Sequence, residues 1–161
     1  MDRSVNAPKE MADAITKTVY YSGSDAVCEG EPFVYTVTDG TASEYDGLRQ
    51  NGVKRPTATG EIFAGVATRN YPAGDPGTGR LIEIATPGSK GVKIRVAAAQ
   101  TQGAILQFAY ATAGGKTFGK SGHALTALAI GDAIVRQTVT AAGLAQADLA
   151  VAPYAAGVVE A

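Results

Sequence analysis

The chain has 161 residues, with 14 Lys and Arg against 15 Asp and Glu and a formal net charge of −1. A nucleic-acid-binding protein needs an excess of basic residues to neutralise phosphates, so this balance argues against nucleic acid as a partner. No stretch approaches the roughly 18 consecutive apolar residues of a membrane helix, and the first residues lack the apolar segment of a signal peptide. We therefore expect a protein made in a cytoplasm, with neither a membrane nor a nucleic acid as partner.

Residues 1–18 are expected to form an N-terminal arm that precedes the folded domain. Pro8 suits the first position of a short helix, and Met11 and Ile15, four residues apart, would share one helix face. This apolar stripe is too narrow to bury itself. The arm should therefore pack on the domain or on a partner.

From Val19 onward the chain has the features of β structure. Residues 33–38 alternate aromatic and β-branched side chains, which predicts a strand. Asp39-Gly40 predicts a tight hairpin turn, with a return strand over 41–45 and then a Gly- and Pro-containing loop over 46–60. Further strands are predicted at 61–68, 80–85, 92–96, 105–112 and 133–140, with one more in the tail over 149–159.

Gly- and Pro-rich stretches such as 69–79 and 87–91 separate these strands and are expected to be loops or turns. The only internal stretch with helical composition is 124–130. Short strands punctuated in this way are typical of sandwiches and barrels. The sequence therefore predicts an all-β fold, a compact β-sandwich or small β-barrel, with a single domain over 19–161.

Residues 114–121 match the P-loop pattern, in which a glycine, four residues and Gly-Lys-Ser/Thr surround a nucleotide phosphate. A P-loop requires a following helix whose N-terminus faces the phosphate. Here Gly122 and Gly131 bracket only a short Ala-rich segment, and the preceding sequence lacks βαβ units. We therefore expect a β-turn with exposed Lys116 and Lys120, and no cofactor.

The remaining polar residues lack the partners that a catalytic or metal site requires. Asp25, Glu29 and Glu31 have neither the facing pair of a glycosidase nor the spacing of a calcium loop, and we expect surface-turn carboxylates. His123, the only histidine, cannot make a zinc site alone. Cys28, the only cysteine, is expected to be a small residue near a strand start. The sequence thus predicts no catalytic residue and no metal.

Tyrosine is enriched at protein interfaces, which makes Tyr20 and Tyr21 candidate interface residues. Val5, Met11 and Ile15 of the arm are the other candidates, because an apolar arm can become ordered on a partner.

Four segments in chain order carry a resemblance to a known family: Phe-Ala-Gly-Val-Ala at 63–67, Arg-Leu-Ile-Glu-Ile at 80–84, Gly-Val-Lys-Ile-Arg-Val at 91–96 and Gly-Asp-Ala-Ile-Val at 131–135. Over roughly residues 30–155, the chain resembles the small capsid decoration, or cement, proteins of tailed bacteriophages. It departs from their pattern by extra length in the arm and in the region 39–60.

The resemblance implies a non-catalytic virion protein that is synthesised in the host cytoplasm and placed on the outer capsid surface. Its partner would be the major capsid protein, and its role would be to stabilise the head. The resemblance also implies self-association as a homotrimer, with a dimer left open. Two other functions stay open: another virion structural protein, such as a head-fibre base or host-surface binding module, and a nucleotide-binding enzyme that uses residues 114–121.

Overall fold

The computed structural model describes residues 13–36, 52–58, 61–111, 113–120 and 131–151. Their regular structure is ten β-strands and one 3₁₀ turn at Ala113–Gly115. The strands are β1 (Thr16–Tyr21), β2 (Pro32–Tyr35), β3 (Gly52–Lys54), β4 (Phe63–Ala67), β5 (Arg80–Ala85), β6 (Val92–Val96), β7 (Ile105–Phe108), β8 (Phe118–Lys120), β9 (Asp132–Val135) and β10 (Gly143–Leu149). The predicted all-β fold is confirmed. Within the described ranges, no helix is both long and apolar enough to cross a membrane.

The strands close into two small barrels, which we call the first barrel (β1–β5) and the second barrel (β6–β10). The strand order around the first is β1-β3-β2-β4-β5, and around the second it is β10-β6-β8-β7-β9. Closure pairs every strand on both sides, so neither barrel leaves an open sheet edge. The region predicted as a single β domain thus contains two barrels.

The two barrels repeat one topology. In each, counting strands from the start of the barrel, strand one pairs in parallel with strand three and antiparallel with strand five. Strand two pairs antiparallel with strands three and four, and strands four and five pair antiparallel. The register also agrees at the end of the first strand. Its last residue pairs with the third strand in both barrels, Tyr21 with Val53 and Val96 with Phe118.

The repeat extends to the turns between strands. Gly30 and Gly103 each lie two residues before the second strand of their barrel, with φ angles of 83° and 85° that favour glycine. Their N–H groups donate to the carbonyl oxygens of Ala67 and Val135, at 2.8 and 2.7 Å. The same correspondence holds for two isolated antiparallel bridges, Val27–Tyr71 and Gln100–Val139. The second barrel therefore repeats the backbone structure of the first.

A shared core joins the barrels. One cluster of buried residues belongs to the first barrel alone, whereas the other combines the second barrel with Val34, Phe63, Val66 and Ala85 of the first. The Phe63 ring stacks on Phe108 and meets Phe118 edge-on, with both centroid distances at 6.0 Å. The barrels thus bury apolar surface against each other as well as inside themselves.

The predicted strands are confirmed at 80–85 and 92–96, where the predicted and observed bounds coincide. Those at 33–38, 61–68, 105–112 and 133–140 are confirmed over shorter lengths. The predicted hairpin at Asp39-Gly40 and the helical stretch 124–130 lie outside the described residues.

Four strands were not predicted. β1 begins within the predicted arm 1–18 and lies ahead of the first predicted strand at 33–38. β3 lies inside the predicted loop 46–60, and β8 lies inside the P-loop match. β10 alternates buried Ala145, Ala147 and Leu149 with less buried residues. Alanine has little β propensity, so this alternation was not visible as a strand pattern.

Candidate functional site

The two ends of the described chain meet at the turn between β5 and β6. The carbonyl oxygen of Ile15 accepts a hydrogen bond from the N–H of Thr86 at 2.8 Å, and its own N–H donates to Ser89 Oγ at 3.0 Å. From the other end, the carbonyl oxygen of Leu149 accepts from the N–H of Gly88 at 3.0 Å. These bonds hold Ile15 and Leu149 at the same turn.

Two apolar side chains stand exposed at this point. Ile15 is 57% exposed and Val151 is 56% exposed. Both lie over Gly88, where a Cβ would be 2.9 Å from Val151 Cγ2 and 3.6 Å from Ile15 Cδ1. Gly88 also has a φ of 95°, so a side chain is disfavoured there for two reasons. We call Ile15, Gly88 and Val151 the end patch, two exposed apolar side chains over one glycine.

The first barrel also holds an ionic cluster, formed by the buried Tyr21, Glu31 and Arg55 and the half-exposed Asp25. The Arg55 guanidinium donates to Glu31 Oε2 at 2.8 Å, to the carbonyl oxygen of Ala26 at 2.8 Å, and to the Tyr21 hydroxyl and the Asp25 carboxylate. The Tyr21 hydroxyl in turn donates to Asp25 Oδ1 at 2.6 Å. Each charge therefore has a partner, which a buried charge requires.

The electrostatics follow from this geometry. Burial alone would raise the pKa of Asp25, but the hydrogen bonds from Tyr21 and Arg55 outweigh it and hold that pKa well below its usual range. Burial and the hydrogen bond to Asp25 raise the pKa of Tyr21 to about 12. The cluster is thus built for a charged Asp25 and a neutral Tyr21 phenol.

The ionic cluster serves the fold of the first barrel. It ties the segment between β1 and β2 to the residue after β3, and its polar groups bind one another. The second barrel closes with other residues at the corresponding positions, since Val96, Ala104 and Lys120 stand where Tyr21, Glu31 and Arg55 stand in the first. The five-stranded topology therefore does not itself require the cluster.

The raised pKa of Tyr21 predicts a loss of stability in alkali. Because the folded state favours the neutral phenol, its contribution is complete below the ordinary pKa of 10.0 and is lost as the pH rises through about 12. We expect the denaturation midpoint of the unmodified chain to fall between about pH 10 and pH 12. The midpoint of the Tyr21→Phe variant should fall less over the same interval. Tyr110→Phe, at an exposed tyrosine, should behave like the unmodified chain, and an equal fall in Tyr21→Phe would contradict the assignment.

A shallow groove of about 170 Å³ runs between the barrels. Its walls are mostly small apolar side chains, and Glu29 and Lys93 form an ion pair of 3.3 Å beside it. Among the described residues, no group of three or more His, Cys, Asp or Glu is arranged to hold a metal ion.

The predicted interface residues differ in their exposure and surroundings. Val5 and Met11 lie outside the described residues, and Ile15 belongs to the end patch. Tyr20 is half-buried, and its hydroxyl donates to the carbonyl oxygen of Thr78 at 3.2 Å. Tyr21 is only 4% exposed, so its assignment as a surface anchor is corrected: its place in β1 directs it into the core and the ionic cluster.

The structure corrects three further expectations. The arm was expected to end at residue 18, but β1 begins at Thr16 and Asp13 already bridges to Lys90. Glu31 was expected on the surface, yet it is 2% exposed because Arg55 neutralises it. Residues 114–121 were expected to form a β-turn with exposed lysines, but Phe118–Lys120 form strand β8, and Lys116 is half-buried with its Nζ 3.4 Å from Asp25 Oδ2; only Lys120 is exposed as expected. Cys28 is half-buried four residues before β2, close to a strand start as expected.

Sequence reasoning missed Arg55, Gly88 and Val151. Arg55 lies in a stretch predicted as a loop, and nothing in its neighbours indicates that it is buried. Gly88 was identified only as a turn residue. Ile15 and Val151 lie over the same glycine although they are far apart in the chain, which no local pattern reports.

Comparisons with known proteins give one finding on the fold. The chain is similar to the structure described as the head fiber gp8.5 N base in bacteriophage phi29, with a TM-score of 0.49 and 9% sequence identity, over 84% of this chain and 93% of that chain. No protein-family model matches the sequence, and no curated protein matches it.

Proposed function

We propose that this chain is a structural protein of a tailed-phage head, which binds the major capsid protein on the outer surface and stabilises the shell. The observation that carries the proposal is the end patch, because it presents two exposed apolar side chains, Ile15 and Val151, over one turn between β5 and β6. Capsid decoration works through summed interface area and repetition over a symmetric lattice, so a small apolar contact is sufficient for each copy.

The resemblance to decoration proteins supports the same role. Three of the four segments that carry it form β4, β5 and β6, and Asp132 of the fourth begins β9. The role is non-catalytic: the charged side chains of the ionic cluster bind one another. Copies associate on or before binding, as a homotrimer or a dimer.

Sedimentation with expanded heads of the parent phage tests the proposal. We expect the unmodified chain to pellet with heads at saturable stoichiometry, and Ile15→Asp/Val151→Asp to lose at least tenfold in affinity because a charge replaces each apolar contact. Tyr110→Ser, which changes an exposed residue outside the end patch, is the matched control and should bind normally. A chain that starts at Asp13 keeps β1 whole and measures the contribution of residues 1–12.

Circular dichroism and thermal melts must show that each variant keeps its fold. If the chain does not pellet with heads at all, the proposed function is wrong. If it pellets and the double Asp variant binds normally, the end patch is not the binding surface.

A further inference from the structure

The joint between the two barrels has a defined geometry. The turn Cys28–Gly30 of the first barrel sits on strands β6 and β10 of the second. The carbonyl oxygen of Gly30 accepts from the N–H of Arg95 at 2.8 Å, and a Cβ at Gly30 would lie 3.0 Å from Leu144 Cδ2. The Glu29–Lys93 ion pair lies beside this contact. One turn and one strand-pair face thus make up the joint.

Both halves of this joint recur in the repeat. The turn Cys28–Gly30 corresponds to Thr101–Gly103, since each precedes the second strand of its barrel and the two glycines have the same φ. The strand face that receives the turn also has a counterpart. Arg95 pairs with Leu144 in the second barrel, and Tyr20 pairs with Leu81 at the same positions of the first. Each chain therefore carries a second turn and a second face.

Among the described residues, the second turn and the Leu81 side of the second face are exposed, while the Tyr20 backbone of that face pairs with β3. Leu81 is 64% exposed, the largest exposure among the exposed large apolar side chains of the described residues. Thr101, Gln102 and Gly103 are all exposed, and a Cβ at Gly103 would meet no atom of the described residues within 4 Å. In contrast, Gly30 of the joined turn is buried. The internal joint covers its leucine only in part, since Leu144 is 39% exposed, whereas the corresponding Leu81 is 64% exposed.

We propose that copies of this chain join head to tail, with the Thr101–Gly103 turn of one copy on the Tyr20/Leu81 face of the next. The contact repeats the side-chain part of the internal joint, without a counterpart of the Gly30–Arg95 hydrogen bond, and covers Leu81 in part. By the same correspondence Gln102 meets Thr18, a neutral polar pair in place of Glu29 and Lys93, so no like charges oppose each other. Because β3 already pairs with β1 at Tyr20, the contact between copies rests on side chains.

The proposed joint is heterologous, since the turn and the face are different surfaces. Such a joint gives a closed ring if its rotation closes and a filament if it does not. The inference does not depend on capsid binding and is tested in solution without heads.

Light scattering coupled to size exclusion measures the mass of the assembly. We expect a mass above 16.4 kDa that grows with concentration, to a limit for a ring and without one for a filament, and a shift to monomer in Leu81→Asp. Ile62→Asp is the matched control, because Ile62 is also exposed but lies far from Leu81. It precedes the start of β4, and the pairing of β4 with β5 places that start away from Leu81. A monomer at every concentration would overturn the proposal, as would an Ile62→Asp variant that dissociates equally.

A charge exchange tests the register of the joint. Thr18→Lys/Gln102→Glu recreates the internal Glu29–Lys93 pair and should tighten self-association several-fold at low salt, whereas Thr18→Glu/Gln102→Glu should weaken it. Equal effects of the two double variants would show that residues 18 and 102 do not meet and would overturn the proposed joint. Loss of head binding with intact self-association would count against the proposed function alone.

Discussion

Glu31→Ala is expected to destabilise the chain by about 3–5 kcal/mol, because removing one member of a buried ion pair leaves the other charge uncompensated. Arg55 is buried, and Glu31 is the carboxylate in the interior of its cluster. Asp25, the other acidic partner, is half-exposed and cannot replace it inside the barrel. Urea denaturation gives the change in the free energy of unfolding.

Two variants test whether the loss of stability in Glu31→Ala comes from the uncompensated charge of Arg55. Glu29→Ala breaks only a surface ion pair with Lys93 and should cost no more than about 1 kcal/mol. Glu31→Ala/Arg55→Leu removes both buried charges and should recover most of the stability, since the second barrel closes with Ala104 at the position of Glu31. A double variant as unstable as Glu31→Ala would contradict this account.

Phe63→Ala is expected to cost about 3–5 kcal/mol, the range for removing a buried aromatic side chain from a packed core. Phe63 is 2% exposed and packs against Phe108 and Phe118 of the second barrel. The variant therefore loses packing inside the first barrel and also the contact that couples the barrels. We expect a lower denaturation midpoint and a broader transition.

Phe33→Ala is the matched control, because Phe33 is equally buried but belongs to the core of the first barrel alone. It should lower stability by a similar amount. If the barrels unfold together in Phe63→Ala as sharply as they do in Phe33→Ala, Phe63 does not couple them.

The sequence was most informative where period-two alternation meets β-branched residues. Residues 92–96 alternate buried Val and Ile with Lys93 and Arg95, and the predicted bounds were correct. β8 and β10 were missed because Gly and Ala form strands there only through pairing with distant partners. Such pairings are set by closure of the barrel rather than by local propensity.

The internal repeat was also invisible in the sequence. Corresponding residues differ in chemistry, as Tyr21 and Val96 do, and the segments between strands differ in length. What the barrels share is backbone conformation, such as the positive φ of Gly30 and Gly103. For the candidate site, sequence reasoning identified Ile15 but could not find Val151 or Arg55, since their partners are far away in the chain.

Cryo-electron microscopy of decorated heads tests the central claim most directly. The account predicts density for the two barrels on the outer surface of the shell, with Ile15, Gly88 and Val151 facing the major capsid protein. Density in which this end patch points to solvent, or heads that carry no added density at saturating protein, would contradict it.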